Sequence, residues 1–499
     1  MFAGVVGRKD TAAVNWLTRS DLGPGAMSPA GPLPRGSHRS AQHEGTLMRG
    51  VGDCVLSLAV MSDVQVMDSV SPARCEWVEL LAHEPRWQPL LHMHRPYEAL
   101  THWALAAHVE ALHRHRLAPC SQRPYDLMLS LGDNIDNAQL NELEAFLAIV
   151  AGGTAQLSAL GGVHEPDSDL RPWPYWCPDA APDDLLKRQG YPIVADFLQR
   201  ASAPLTSRGL GFAWTSVPGN HDLMRQGTAL PQADIERIAV GRTKTLHRPA
   251  GFDPADPLTR FIEAPDAFSL GGTRRVPALA SRRAVSKQEW IAAHVAAGAA
   301  GYSPEHARRG CADLVIDTEQ VRIILLDTNH PAGDYQGSVG AAQLDWLEAQ
   351  LGEVGRQKDR LAVLASHHGS VSLTNTLGAD PQRLHASALT GVMHHHPCLV
   401  AWLVGHRHLH EIKAHPGPGG GFWEISTGSL IDWPVQTRAV ELLRHGGGAV
   451  EIVCSLQDHH APANSLAQLH HALARRFAGD QAAAMQGLPH DGNVRLWRP

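Results

Sequence analysis

Leu127-Met128-Leu129-Ser130-Leu131 runs directly into Gly132-Asp133-Asn134-Ile135-Asp136. The first five residues have the length and apolarity of a buried strand. Gly132 allows the backbone to turn sharply, and Asp133 then projects from the strand end. Asn137 reads as the N-cap of the next element, in which Leu140, Leu143, Leu147 and Val150 recur at helical spacing. A carboxylate-bearing loop that joins a strand to a helix lies at the edge of a sheet, where open α/β folds bind their ligands.

The same pattern occurs at four other places. The apolar run 55–61 leads into Ser62-Asp63-Val64-Gln65, and the run 212–217 leads into Gly219-Asn220-His221-Asp222. The runs 361–365 and 399–404 lead into Ser366-His367-His368 and Gly405-His406-Arg407-His408. A single Gly-Asp or His-x-His is more often a turn or a surface pair. In this order, each after a strand, the motifs point to a two-metal hydrolytic centre. Carboxylate, amide oxygen and imidazole suit hard and borderline divalent cations. Asp133 is the natural shared carboxylate, and Asn220 can ligate through its amide oxygen. His406 and His408 alternate in what reads as an extended segment, so both are expected on one side, one for each metal.

Composition sets the frame. The chain has 499 residues, 43% hydrophobic and 19% charged, with a formal charge of −7. That balance is ordinary for a globular protein and disfavours a nucleic-acid backbone as main partner. Of 31 histidines, most cannot be ligands; runs such as His394-His395-His396 read as solvated or capping residues. The seven cysteines are odd in number and widely spaced, which indicates neither a disulfide framework nor a cysteine zinc site. No segment reads as a signal peptide, a twin-arginine signal or a membrane span, so a cytoplasmic location is the default expectation.

Strands alternating with helices, followed by antiparallel strands at 439–443 and 449–456, favour a layered α/β architecture with a mixed sheet. One sheet or a two-sheet sandwich flanked by helices would fit. Residues 1–50 are expected to be disordered, 51–456 to form the main domain, and 457–499 a helical tail. Ser71-Pro72 reads as the start of a helix. Two long inserts, near 155–210 and 225–310, begin at ligand-bearing loops and are expected to form a lid.

Taken together the motifs resemble the calcineurin-like metallophosphoesterase superfamily, over roughly 55–430. That pattern runs Asp-x-His, Gly-Asp-x-x-Asp, Gly-Asn-His-(Asp/Glu), His, Gly-His-x-His. The resemblance implies a four-layer α/β/β/α sandwich, two divalent ions (Mn, Fe or Zn) and hydrolysis of a phosphoric ester by hydroxide held between them. It implies that one metal takes Asp63, Gln65, Asp133 and His408. The other takes Asp133, Asn220, His367 and His406. His221 would serve the leaving group, oriented by Asp222 or Asp136. Two positions depart from the pattern. Gln65 stands where most members have histidine, as in an insert-bearing bacterial group with an Asp-x-Gln first motif and in the manganese-dependent ADP-ribose/CDP-alcohol diphosphatases. His367-His368-Gly369 replaces His-x-Pro, with His367 the expected ligand and His368 the alternative. A small phosphoester or nucleotide is the implied substrate, and a phosphodiesterase or nucleoside-diphosphate hydrolase is favoured. A phosphomonoesterase and a non-catalytic scaffold of the same fold are the alternatives. His330 and Arg74 are further candidates for contact with substrate, although a surface salt bridge is the preferred reading of Arg74.

Overall fold

The computed structural model describes residues 17–19, 52–91, 93–166, 172–179, 183–272 and 274–498. Except for the strand at 17–19, the N-terminal segment expected to be disordered lies outside the described residues. The apolar runs become strands. In chain order they are β1 (Leu17–Arg19), β2 (Asp53–Met61), β3 (Leu127–Ser130) and β4 (Trp214–Ser216). Then follow β5 (Leu314–Asp317), β6 (Val321–Leu326), β7 (Leu361–Ser366), β8 (Leu399–Val404), β9 (Glu411–His415) and β10 (Phe422–Ser426). Last come β11 (Thr437–Arg444), β12 (Val450–Gln457) and β13 (Val494–Arg498).

These strands form two mixed sheets. The first has seven strands in the order β1-β13-β12-β11-β2-β3-β4, and the second six, β9-β10-β8-β7-β6-β5. The ligand-bearing strands are parallel neighbours: β2 with β3, β3 with β4, and β7 with β8. Their C-terminal ends therefore lie along one edge of each sheet.

Alternation along the strands fixes the layers. Val321, Ile323 and Leu325 of β6 join a core that also contains Leu58, Val440 and Ile452 of the first sheet. Ile324 and Leu326 point the other way, onto Leu347 and Leu351 of a helix at Ala341–Gly355 and Leu389 of one at Ala386–His394. On the far side of the first sheet lie Val109 and Leu112 of Thr101–Arg114 and Phe146 and Val150 of Leu140–Ala151. The result is helix, sheet, sheet, helix. Period-two strands and period-3.6 helices bury one face each, which this stacking satisfies.

Several sequence expectations are corrected. Asn137 is not a helix cap. The helix starts at Leu140 after Gln139, while the Asn137 side chain bonds the Gln226 amide and the Gln139 side chain. Ser71-Pro72 opens a turn and not a helix; the next helical residues are the 3-10 turn Glu76–Leu81. Residues 457–499 are more than a helical tail, because β13 pairs with β12 inside the first sheet and Leu466–Ala478 packs on Thr101–Arg114. Part of the second insert is core: Trp290 and Ile291 of Lys287–Ala296 pack into the main cluster, and His294 bonds Ser216 of β4 at 2.8 Å. Among the described residues no helix is long and apolar enough to cross a membrane.

Candidate metal centre

The loops after β2, β3 and β4 of the first sheet meet those after β7 and β8 of the second. They bring Asp63, Gln65, Asp133 and Asn220 against His367, His406 and His408. Donor atoms of Asp63, Asp133 and His367 lie within 4.8 Å of one another, as do those of His367, His368 and His406. Asp133 Oδ2 is 3.2 Å from His367 Nε2, and Asp63 Oδ1 is 3.2 Å from His408 Nε2. Asn220 Oδ1 is 3.0 Å from His367 Nε2.

Backbone conformation aims these side chains. Asp63, Gln65, Asp133, His406 and His408 have φ of 49°, 46°, 51°, 70° and 54°, in the left-handed region. Non-glycine residues held there cost of order 1–3 kcal/mol each and cluster at functional sites. The expectation that His406 and His408 alternate in an extended segment is therefore wrong; left-handed turns, and not strand alternation, place both rings. The turns after the neighbouring strands β2 and β3 are tied to each other by backbone bonds, Asp63 N–H to Gly132 O at 3.0 Å and Gln65 N–H to Asp133 O at 2.8 Å.

The donor set fits divalent cations. Asp63 Oδ1 and Gln65 Oε1 are buried and accept no hydrogen bond, which is costly unless a cation takes their lone pairs. Gln65 is 1% exposed, so water does not solvate its amide. The histidines are tethered as ligands are. His367 Nδ1–H donates to Leu131 O at 2.7 Å, and His408 Nδ1–H to Asp432 Oδ2 at 2.7 Å. Both leave Nε2 toward a carboxylate. His368 differs: Nδ1 bonds Thr328 Oγ1 at 2.9 Å and Nε2 bonds Tyr335 O at 3.0 Å. His368 Nε2 is spent on a backbone carbonyl, whereas His367 Nε2 faces the candidate donors Asp133 and Asn220, so His368 is the poorer donor of the pair.

Charge shows the same design. Burial alone would lower the His367 and His408 pKa values, but Asp133 lifts the first to about 9, and Asp63 with Asp432 lifts the second to about 10. The carboxylates thus create a place for positive charge between the sheets. Burial and the neighbouring imidazoles His368 and His367 keep His406 well below the usual histidine range, as neutral as a ligand must be.

No family model matches the chain, and no curated protein matches its sequence. Solved structures align with it at low similarity. A dimetal phosphatase from Danio rerio is 13% identical, with 82% of this chain and 97% of that one covered and a TM-score of 0.38. A putative 5′-nucleotidase from Staphylococcus aureus is 14% identical, covering 84% and 58%, at a TM-score of 0.31. A sulfate thiohydrolase from Thermus thermophilus is 12% identical, covering 87% and 61%, at a TM-score of 0.31. The layered architecture stands on the chain's own two sheets, and the site on its own donor set.

His221 sits at the same centre. Its backbone N–H donates to Asp133 Oδ1 at 2.8 Å, and its Nδ1–H to the Asp136 carbonyl at 2.7 Å. The Asp136 carboxylate is 3.6 Å from the same nitrogen. Burial would lower the His221 pKa, but Asp133 and Asp136 raise it. Asp222 does not orient His221. Its carboxylate accepts from Gly219 N–H and Asn134 N–H, clamping the two loops together. Arg74 is neither a phosphate contact nor a surface pair: it is fully buried between Glu76, Glu98 and Asp136. His330 Nδ1 accepts the Ala332 amide and closes a local turn.

Two residues of the centre carry no signal in a strand-end motif. Asp432 lies beyond β10 and holds His408 while accepting two bonds of 2.8 Å from Arg95 and one of 2.7 Å from Tyr97. A carboxylate a few residues past a strand end was the available signal. Removing such an orienting partner typically costs 10–100-fold in metal affinity. Asp432→Ala should therefore weaken Mn²⁺ binding by about that factor, as read by titration of metal-free protein; unchanged affinity would deny Asp432 this role.

Gly227 is the other. Its carbonyl accepts from Asn220 Nδ2 at 2.9 Å, which turns Oδ1 inward. A Cβ there would lie 2.4 Å from His221 Nε2 and 2.5 Å from Asn220 Nδ2, at a φ of +69°. Gly227→Ala should displace both side chains and lower kcat by about 10² while the far-ultraviolet spectrum stays native. A kcat within twofold of wild type would show that the loop relaxes freely.

Beyond these residues the centre opens into a cleft of about 590 Å³. Its walls come from 88–91, 93, 95, 335–336, 371–372, 481 and 484–485. Of the two inserts expected as a lid, only Gln226 and Thr228 reach it among the described residues.

Proposed function

We propose that this chain is a metal-dependent phosphoric-ester hydrolase with a dinuclear centre, acting on phosphodiesters or nucleoside diphosphates. The observation that carries this reading is the convergence of seven donor side chains from two sheets, in which the buried Gln65 Oε1 accepts no hydrogen bond and Asp63 Oδ1 faces His408 Nε2 at 3.2 Å. Asp63, Gln65, Asp133 and His408 would hold one cation, and Asp133, Asn220, His367 and His406 the other. Divalent ions there supply Lewis acidity, neutralising charge on a phosphoryl group and activating water. The protein's own part is orientation and proton handling. Asp136 fixes the His221 ring through Nδ1, leaving Nε2 as the nitrogen available to protonate a departing oxygen. Asp133 positions the same residue from its backbone side, so a single carboxylate couples the metal sites to the proton donor.

The preference for diesters rests on Gln65, whose amide oxygen replaces an imidazole and cannot carry a proton. The test is hydrolysis of bis(p-nitrophenyl) phosphate against p-nitrophenyl phosphate by metal-stripped protein reloaded with Mn²⁺, with Asn220→Ala as control. Faster release from the diester, dependent on metal and Asn220, supports the reading. Faster release from the monoester makes the chain a phosphatase. Turnover of neither, with two metals bound, removes the hydrolase reading for simple esters.

A further inference from the structure

The lining of the cleft includes apolar side chains beside the polar ones. Leu91, Val371, Leu409 and Met485 line it, contributed by four separate segments. Val371 is 49% exposed, among the most exposed large aliphatic side chains described, and it stands at a site lined elsewhere by charged and polar groups. Isolated exposed aliphatics are normal, but several facing one cleft mark a contact surface.

Cations are the other half of the observation. Apart from histidines, the basic side chains lining the cleft among the described residues are Arg95 and Arg407. Arg95 donates twice to Asp432, which also holds His408. Arg407 is paired with Glu411. Among the described lining residues, a second phosphate would meet Arg95 committed to a buried pair and Arg407 held only by an exposed pair with Glu411. Recruiting Arg95 would take two bonds from Asp432, the residue that holds the candidate ligand His408. A charged phosphate leaves water only for charge-assisted bonds of that kind.

We propose that this wall selects a phosphodiester carrying one negative charge and an apolar organic group, in preference to a nucleoside diphosphate. The inference rests on the phosphoester-hydrolase reading and narrows it. The phosphodiester group would sit at the metal centre, and the apolar group would lie along Leu91, Val371, Leu409 and Met485.

The test has a binding arm and a turnover arm, both with Mn²⁺-loaded full-length protein. Calorimetric titration compares phenylphosphonate, methylphosphonate and α,β-methylene-ADP. Turnover compares phenyl p-nitrophenyl phosphate with methyl p-nitrophenyl phosphate, each kcat/KM divided by the rate of the same ester with hydroxide in water. The phenyl member of each pair should be favoured by about tenfold or more, the discrimination a fitted apolar pocket gives. Val371→Asn and Met485→Gln should each bring that ratio down by about threefold. Equal treatment of phenyl and methyl, or tighter binding of α,β-methylene-ADP than of phenylphosphonate, would overturn the proposal and leave the hydrolase reading standing. Phenyl selectivity in binding without turnover of either diester would instead defeat the hydrolase reading, and the proposal with it.

Discussion

Asp133→Ala should lose both metal ions and nearly all turnover. Asp133 belongs to each proposed ligand set, and both of its oxygens are committed: Oδ1 to the His221 amide and Oδ2 toward His367. Without it, His367 Nε2 keeps Asn220 Oδ1 and the more distant Asp63, and the carboxylate that does most to raise the His367 pKa is gone. Turnover of a phosphodiester should fall by about 10³ or more, roughly 4 kcal/mol in the barrier, since bound ions supply that much stabilisation to a phosphoryl transfer. Elemental analysis after reloading with Mn²⁺ is the direct check. Two ions per chain in the variant would show that Asp133 is not the shared ligand.

His221→Ala should separate metal binding from proton delivery. The ring is anchored by the Asp136 carbonyl and carboxylate, and it is not among the seven proposed ligands. The variant should therefore retain both ions. For a diester with an alkoxide leaving group, kcat should drop by about 10²–10⁴, the usual contribution of a positioned general acid. For p-nitrophenolate, which departs without a proton, the loss should stay below about tenfold. An equal loss on both substrates would assign His221 to metal or substrate binding instead.

The parts of this molecule written locally were legible. Apolar runs at 55–61, 361–365 and 399–404 are the strands Asp53–Met61, Leu361–Ser366 and Leu399–Val404. The pair around Gly446-Gly447-Gly448 is the antiparallel β11–β12. Strand-end placement was enough to bring the five motifs to one edge, because parallel neighbours deliver their strand ends together; the choice of seven donors within them came from the family resemblance. What depends on packing between distant segments was not legible. Asp432 and Gly227 act on His408 and Asn220 through contacts that no spacing announces. Asn137 and Asp222 have the right chemistry for the roles expected of them, yet their side chains find better partners: the Gln226 amide for one, the amides of Gly219 and Asn134 for the other. The inserts were judged by where they leave the chain, whereas their aromatic residues decide where they settle, as Trp290 does in the main core.

The origin of the donors has a mechanical consequence. The proposed oxygen ligands, Asp63, Gln65, Asp133 and Asn220, all come from the first sheet, and the proposed nitrogen ligands, His367, His406 and His408, all from the second. Cations held among them would cross-link the two halves of the sandwich. The His406 amide already bonds Asp63 Oδ2 at 3.0 Å across 343 residues of chain. Ions present at a thousandfold excess over their dissociation constant would favour the folded state by about 4 kcal/mol. Chelation should thus lower the melting temperature as well as stop turnover. If the proposed centre holds its ions, mutations that loosen the grip on metal would draw on the stability of the whole sandwich, and activity and cohesion would not drift independently.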